Sequence, residues 1–153
     1  VPKAKKTRPK KTRKKKQGQA LAEHHDQSKP RKEYGMANVD ISKLAEIGGF
    51  IGACLVDSET GLMMASEGGG NLDLEAAGAA NTEVVKAKLA AIEMLGLDDA
   101  IDDILITLGK QFHLIRPLEQ TPTVFLYVAL DKKTANLGMA RVQVKSVEKT
   151  LSL

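Results

Sequence analysis

Residues 47–66, IGGFIGACLVDSETGLMMAS, constrain this chain more than any other stretch. They read as one β-hairpin. Residues 48–56 are nearly all apolar, Asp57-Ser58-Glu59-Thr60-Gly61 is a run of turn formers, and residues 62–65 are apolar again. A turn of this length ending in glycine fits a type I turn closed by a residue with positive φ. Apolar strands that do not alternate with polar residues are covered on both faces. The hairpin is therefore expected mid-sheet with helices packed on either side, and the rest of the chain is expected to extend and cover it.

The remaining elements follow in order. Residues 38–46 (NVDISKLAE) predict a short helix capped by Asn38 or Asp40, with Ile41, Leu44 and Ala45 as its apolar stripe and Gly48-Gly49 ending it. Residues 67–71 (EGGGN) read as a strand-to-helix loop that needs positive φ. The longest helix is predicted over residues 73–95, with Asp73 as N-cap and Gly96 as stop. Glu75, Thr82, Glu83, Lys86 and Glu93 share one side of it. Its apolar residues spread over roughly 220°, wider than the ~100° stripe of a simple surface helix. Leu74, Val85, Leu89 and Ile92 form one flank; Ala80, Val84, Ala87, Ala91 and Met94 form another. One flank covers the sheet, and the second needs another surface. The small residues Ala77, Gly78, Ala80 and Ala91 would let a partner helix approach, so self-association is expected here.

Residues 102–109 (DDILITLG) and 112–118 (FHLIRPL) predict a second hairpin, with Pro117 marking a strand end. Residues 123–130 (TVFLYVAL) predict another central strand. Residues 131–149 predict a closing helix, capped near Thr134 or Asn136, with Leu137, Ala140, Val144, Val147 and Leu151 on its apolar side and Gly138 permitting close packing on a strand. The 153 residues suffice for one domain with a real core.

Charge divides the chain. Residues 1–35 hold 13 Lys/Arg against 3 Asp/Glu, a net of +10; residues 36–153 hold 10 against 16, a net of −6. The first segment has almost nothing apolar to bury and is expected to be a disordered polybasic tail, with residues 36–153 as the folded domain. Lys10, Lys11, Arg13, Lys14, Lys15 and Lys16 are its densest cations. They would bind nucleic acid or an anionic membrane surface electrostatically, or stay solvated; no aromatic residue interleaves them to stack on bases. Met36 stands where the composition turns globular, and Val1 fits a literal translation of a GTG start, so one hypothesis has the native chain beginning at Met36. N-terminal sequencing of the protein from its own cells tests it.

Chemistry-bearing residues are few. The lone Cys54 lies in an apolar strand, and it reads as a buried small hydrophobe in a reducing compartment. The tail has no apolar run of the kind that follows the charges of a secretory signal, and no stretch nears the ~18 apolar residues of a membrane span. A cytoplasmic protein is expected. His113 has no partner carboxylate or second histidine nearby in sequence and reads as structural; His24-His25-Asp26 is a weak metal signal. The glycines at 68–70 lack the Gly-Lys-Ser/Thr of a phosphate loop. No nucleophile–base pair, paired carboxylate motif or metal-ligand spacing is present, so no enzymatic activity and no cofactor are expected.

The order of the elements predicts an α+β fold: one five-stranded antiparallel sheet with helices on both faces, in the order α-β-β-α-β-β-β-α. Residues 39–151 resemble the roadblock/dynein light chain family, related to longin and profilin-like folds. The resemblance rests on the GGFIGACLVDSETGLMMAS opening, the alanine-rich second helix, the strand pattern ILITLG, FHLIRPL and VFLYVALD, and the ending TANLGMAR. It implies a non-enzymatic module of the prokaryotic single-domain type that dimerises through the long helix and an edge strand. Carried onto this chain, the implied surface is Val84, Val85, Lys88, Leu89 and Ile92 with Ile104, Ile106 and Leu108. The implied partner is a small Ras-like GTPase, bound and regulated by a homodimeric scaffold. Arg116 and Arg141 are the domain's only arginines and neither lies on a mobile loop, so reshaping of the partner is expected rather than an arginine finger. The alternatives are a structural adaptor without a GTPase, and a dimer that binds nucleic acid or anionic membrane through its tail.

Overall fold

The computed structural model describes residues 36–153. A 3₁₀ turn (Ser42–Glu46) leads into β1 (Phe50–Asp57) and β2 (Met63–Gly68), then α1 (Leu74–Met94), β3 (Ile104–Thr107), β4 (Gln111–Pro117), β5 (Val124–Asp131) and α2 (Leu137–Glu148). The five strands form one sheet in the order β2-β1-β5-β4-β3, and every neighbouring pair is antiparallel. The α+β architecture and element order match the expectation.

Alternation along the apolar strands divides the core in two. Leu126, Val128 and Leu130 of β5 join Leu55, Leu114 and Val144 beneath α2 and the 3₁₀ turn. Phe125, Tyr127 and Ala129 join Cys54, Val56, Ile115 and Val85 beneath α1. Each fully buried Leu or Val contributes about 1.5–3 kcal/mol, and β5 is buried along almost its whole length.

The hairpin is not mid-sheet as expected. β1 is interior, but β2 is a sheet edge, and β5 holds the centre. The reason lies in β2 itself, whose residues alternate between half-buried and exposed instead of being covered on both faces. The turn forms as expected: Gly61 has φ +74, and its N–H donates to the Asp57 carbonyl at 2.7 Å. Asp57 also accepts from the Glu59 N–H at 2.9 Å and the Thr60 hydroxyl at 2.9 Å.

Three helix expectations need correction. The first helix is only a five-residue 3₁₀ turn, because one α-helical turn before Gly48-Gly49 is too short to nucleate. Asn38 does not cap it. Instead Asn38 pairs with Ser152, N–H to carbonyl in both directions at 2.8 and 3.0 Å, tying the two ends of the domain together. Asp40 accepts from the Ser42 N–H at 2.9 Å. The last helix takes Leu137–Glu148 of the stretch 131–149, behind one of the two caps the sequence offered: Asp131 ends β5 and accepts from Thr134 Oγ1 at 3.1 Å in a turn, and Asn136 caps the helix by accepting from the Met139 N–H at 3.0 Å. Gly138 is exposed and packs on no strand.

α1 is capped as expected, with Asp73 accepting from the Ala76 N–H at 3.0 Å and Gly96 at φ +63 closing it. Gly78 serves the chain's own sheet rather than a partner helix: a Cβ there would lie 2.9 Å from Val56 Cγ2.

Candidate interaction surface

The surface begins with what α1 leaves uncovered. Val85 is fully buried in the core beneath the helix, so it does not reach the surface that the resemblance implies for it. Its neighbour Val84 is half-buried at the margin of the same core, as are Ile104 and Ile106 of β3. Further along the helix Ile92 is half-buried, Leu89 is 43% exposed and Lys88 is in solvent. The apolar character continues to the helix end and its C-cap, where Met94 is 87% exposed and Leu95 69%. Leu108 lies beyond β3 rather than on it, in the turn where its N–H donates to the Gln111 carbonyl at 2.8 Å. β3 pairs only with β4, so its outer edge has no strand partner among the described residues. Val84, Ile104 and Ile106 thus border one core cluster, next to a free strand edge.

A polar group sits under this margin. His113 of β4 is the register partner of Ile106. Its Nε2 lies 2.8 Å from Gln111 Oε1, and its Nδ1 lies 3.3 Å from the Tyr127 hydroxyl. The His113 and Tyr127 rings pack edge to face with centroids 5.3 Å apart. Burial lowers the His113 pKa from its ordinary 6.5. Burial also pushes the Tyr127 phenol up to about 12, with a smaller contribution from Cys54, and pushes the Cys54 thiol up to about 12. A thiol so protonated is inert at neutral pH; Cys54 is a buried hydrophobe, as expected, with Sγ 3.7 Å from the Leu74 carbonyl.

Both arginines are occupied. Arg116 is only 7% exposed at its side chain; its Nε donates to Glu148 and its Nη1 donates to Asp102 Oδ1 at 3.0 Å. Glu148 also accepts from the Glu119 N–H at 2.7 Å. Burial alone would lower the Arg116 pKa, but Glu148 and Asp102 outweigh it and hold the guanidinium above its ordinary value. Arg141 donates to Asp103 at 3.0 Å. The Arg116–Asp102 and Arg141–Asp103 pairs pin the segment before β3 to β4 and α2, beside a cleft of about 420 Å³ lined by Leu89, Ile101, Arg116, Leu118 and Lys145 among others. Sequence reasoning left Arg116 without a partner, since Glu148 lies 32 residues away and nothing local signals the pair.

Among the described residues, no group of three or more His, Cys, Asp or Glu is placed to hold a metal, and no helix is long and apolar enough to cross a membrane. The tail residues Lys10, Lys11, Arg13, Lys14, Lys15 and Lys16, and His24-His25-Asp26, lie outside the described residues.

No protein-family model matches the chain, and no curated protein matches it. Solved structures do. Myxococcus xanthus MglB is similar at 20% identity and a TM-score of 0.62, covering 71% of this chain and 78% of that one. A roadblock/LC7 domain from Streptomyces avermitilis is similar at 13% identity and a TM-score of 0.61, covering 71% and 87%. The gliding protein MglB from Thermus thermophilus is similar at 16% identity and a TM-score of 0.59, covering 71% and 80%. The sheet order, the helices on its two faces and these likenesses define a roadblock-like domain.

Proposed function

We propose that this chain is a non-enzymatic homodimeric scaffold that binds and regulates a small Ras-like GTPase. The observation that carries the reading is the free edge of β3 beside the half-exposed apolar residues Val84, Leu89, Ile92, Ile104 and Ile106. A second copy laid on that margin pairs the open edge and takes the apolar flank out of water. An MglB structure of 16% identity and TM-score 0.60 is described as having a tetrameric arrangement, so a similar fold self-assembles. The GTPase partner comes from the family resemblance. Both arginines are held in ion pairs, which favours reshaping of the partner's switch loops over an arginine finger.

The test has two parts. Sedimentation equilibrium of the full chain is expected to give a dimer. Bait captured from native lysate in the presence of GDP or a non-hydrolysable GTP analogue is expected to retain a small GTPase in one nucleotide state only. Retention of the same non-GTPase proteins in both states would replace the regulator reading with the adaptor reading. A separate observation, the net +10 of residues 1–35 against −6 for the rest, favours a second activity: electrostatic binding of nucleic acid or anionic membrane through the tail.

A further inference from the structure

His113 lies half-buried between the core and the open margin, as the register partner of Ile106. Both of its ring nitrogens are used in the neutral form. With Gln111 Oε1 as acceptor, Nε2 carries the hydrogen and Nδ1 is left to accept from the Tyr127 hydroxyl. Tyr127 is 1% exposed, and His113 is the partner its hydroxyl has among the described residues. A proton on Nδ1 forces that hydroxyl to turn round, and its own hydrogen is then left without a partner in a dry site.

The surroundings give a cation no compensation. β5 presents Tyr127, and β1 behind it presents Cys54. β4 itself supplies Gln111 and Ile115, and β3 supplies Ile106. α1, above the same core, turns Val85 inward and keeps Glu83, Lys86 and Lys88 in solvent. No carboxylate makes an ion pair with the ring among the described residues. In the single chain the imidazole is only half-buried, so solvent still reaches it.

We propose that His113 is a proton gate on self-association: the second copy that closes over Ile104, Ile106 and the α1 flank seals the imidazole in its neutral form, and protonation opens the pair. This rests on the dimer reading above. Lys88 stands on that surface, and the cleft beside Leu89 adds Asp99, Asp102, Arg116, Glu119 and Lys145; none of these side chains pairs with the ring among the described residues, and a cation brought in by the partner disfavours the protonated form. By linkage, the pair that excludes the proton is the pair the proton dissociates.

Sedimentation equilibrium of the full chain at about pH 7.5 and about pH 5.5, spanning the ordinary histidine range, tests it. The dimer Kd is expected to rise on the order of tenfold or more on acidification, corresponding to a shift of at least about one pKa unit. His113→Gln, which keeps a polar side chain there but takes up no proton in this range, is expected to dimerise equally at both values. A wild-type Kd that stays flat, or a His113→Gln variant that keeps the wild-type slope, overturns the gate and leaves the dimer standing. A chain that is monomeric at both values overturns the dimer reading, and the gate with it. A measurement free of any variant is the NMR titration of the His113 ring in dilute and concentrated wild-type samples. The pKa is expected to fall as concentration rises, and equal values overturn the proposal.

Discussion

Arg116 shows how much one side chain decides. Its guanidinium is buried against Glu148, whose side chain is itself only 9% exposed, so removing either partner strands a charge in a dry site. Arg116→Ala is expected to cost about 3–5 kcal/mol of unfolding free energy in urea, while Arg116→Met combined with Glu148→Leu recovers most of it. The same variant frees Asp102 and loosens the approach to β3. His113 sets a pH dependence at the same scale. Its folded pKa lies below the ordinary 6.5, so the unfolded chain binds the proton more readily. The stability it contributes is complete above about pH 6.5 and is lost as pH falls through the folded value. Urea midpoints of the wild type are expected to drop on acidification in that window, and His113→Gln is expected to remove this part of the slope. Asp40, lowered chiefly by the Ser42 N–H, acts only below its ordinary 3.8 and leaves the window clear.

At the scale of the element, α1 does two jobs with two sets of residues. Leu74, Gly78 and Val85 seat it on β1 and β5, while Leu89 and Met94 project from its second half and Leu95 from its C-cap. The two jobs separate by mutation. Asp73→Ala removes the cap and is expected to cost about 1 kcal/mol without changing the oligomer. Leu89→Glu sits on an exposed flank and is expected to leave the stability of the protomer itself within about 0.5 kcal/mol. Sedimentation velocity of Leu89→Glu is nevertheless expected to show a monomer where the wild type is dimeric. A Leu89→Glu chain that remains dimeric removes this flank from the interface. The wheel of this helix foretold two apolar flanks but not which residues of each are covered: Leu74 and Val85 are buried while Leu89, on the same flank, is exposed. Periodicity gives the angle of a residue about the helix axis, and only the height and tilt of the helix on its sheet decide which angles are covered.

At the scale of the whole molecule, charge is segregated along the sequence, with +10 in residues 1–35 and −6 in residues 36–153. The acidic part repels a polyanion, so binding is expected to reside in the tail. Fluorescence anisotropy of the full chain on a labelled DNA duplex is expected to lose about 10³-fold in affinity between about 50 and 200 mM salt. Replacing Lys10, Lys11, Arg13, Lys14, Lys15 and Lys16 by Gln is expected to abolish it, and retention by anionic vesicles but not by duplex would identify a membrane partner instead. Much of the fold was legible in the sequence. The turn at residues 57–61, the Asp73 and Asn136 caps, the Gly96 stop and the Pro117 strand end are dictated by backbone chemistry within a few residues, and each appears where local rules put it. Sheet order is not local. That β5 rather than the hairpin holds the centre follows from the pairing of β1 with β5, about seventy residues downstream, and no short-range pattern reports which strand neighbours which. The candidate surface divides in the same way: its apolar residues were visible as an over-wide helix face, whereas the Arg116–Glu148 pair and the contact between His113 and Tyr127 exist only once distant strands and helices are packed. Sequence alone determined the class of elements, their caps and the separation of charge, because those depend on neighbouring residues; tertiary structure decided which faces stay open, because that depends on what packs against what.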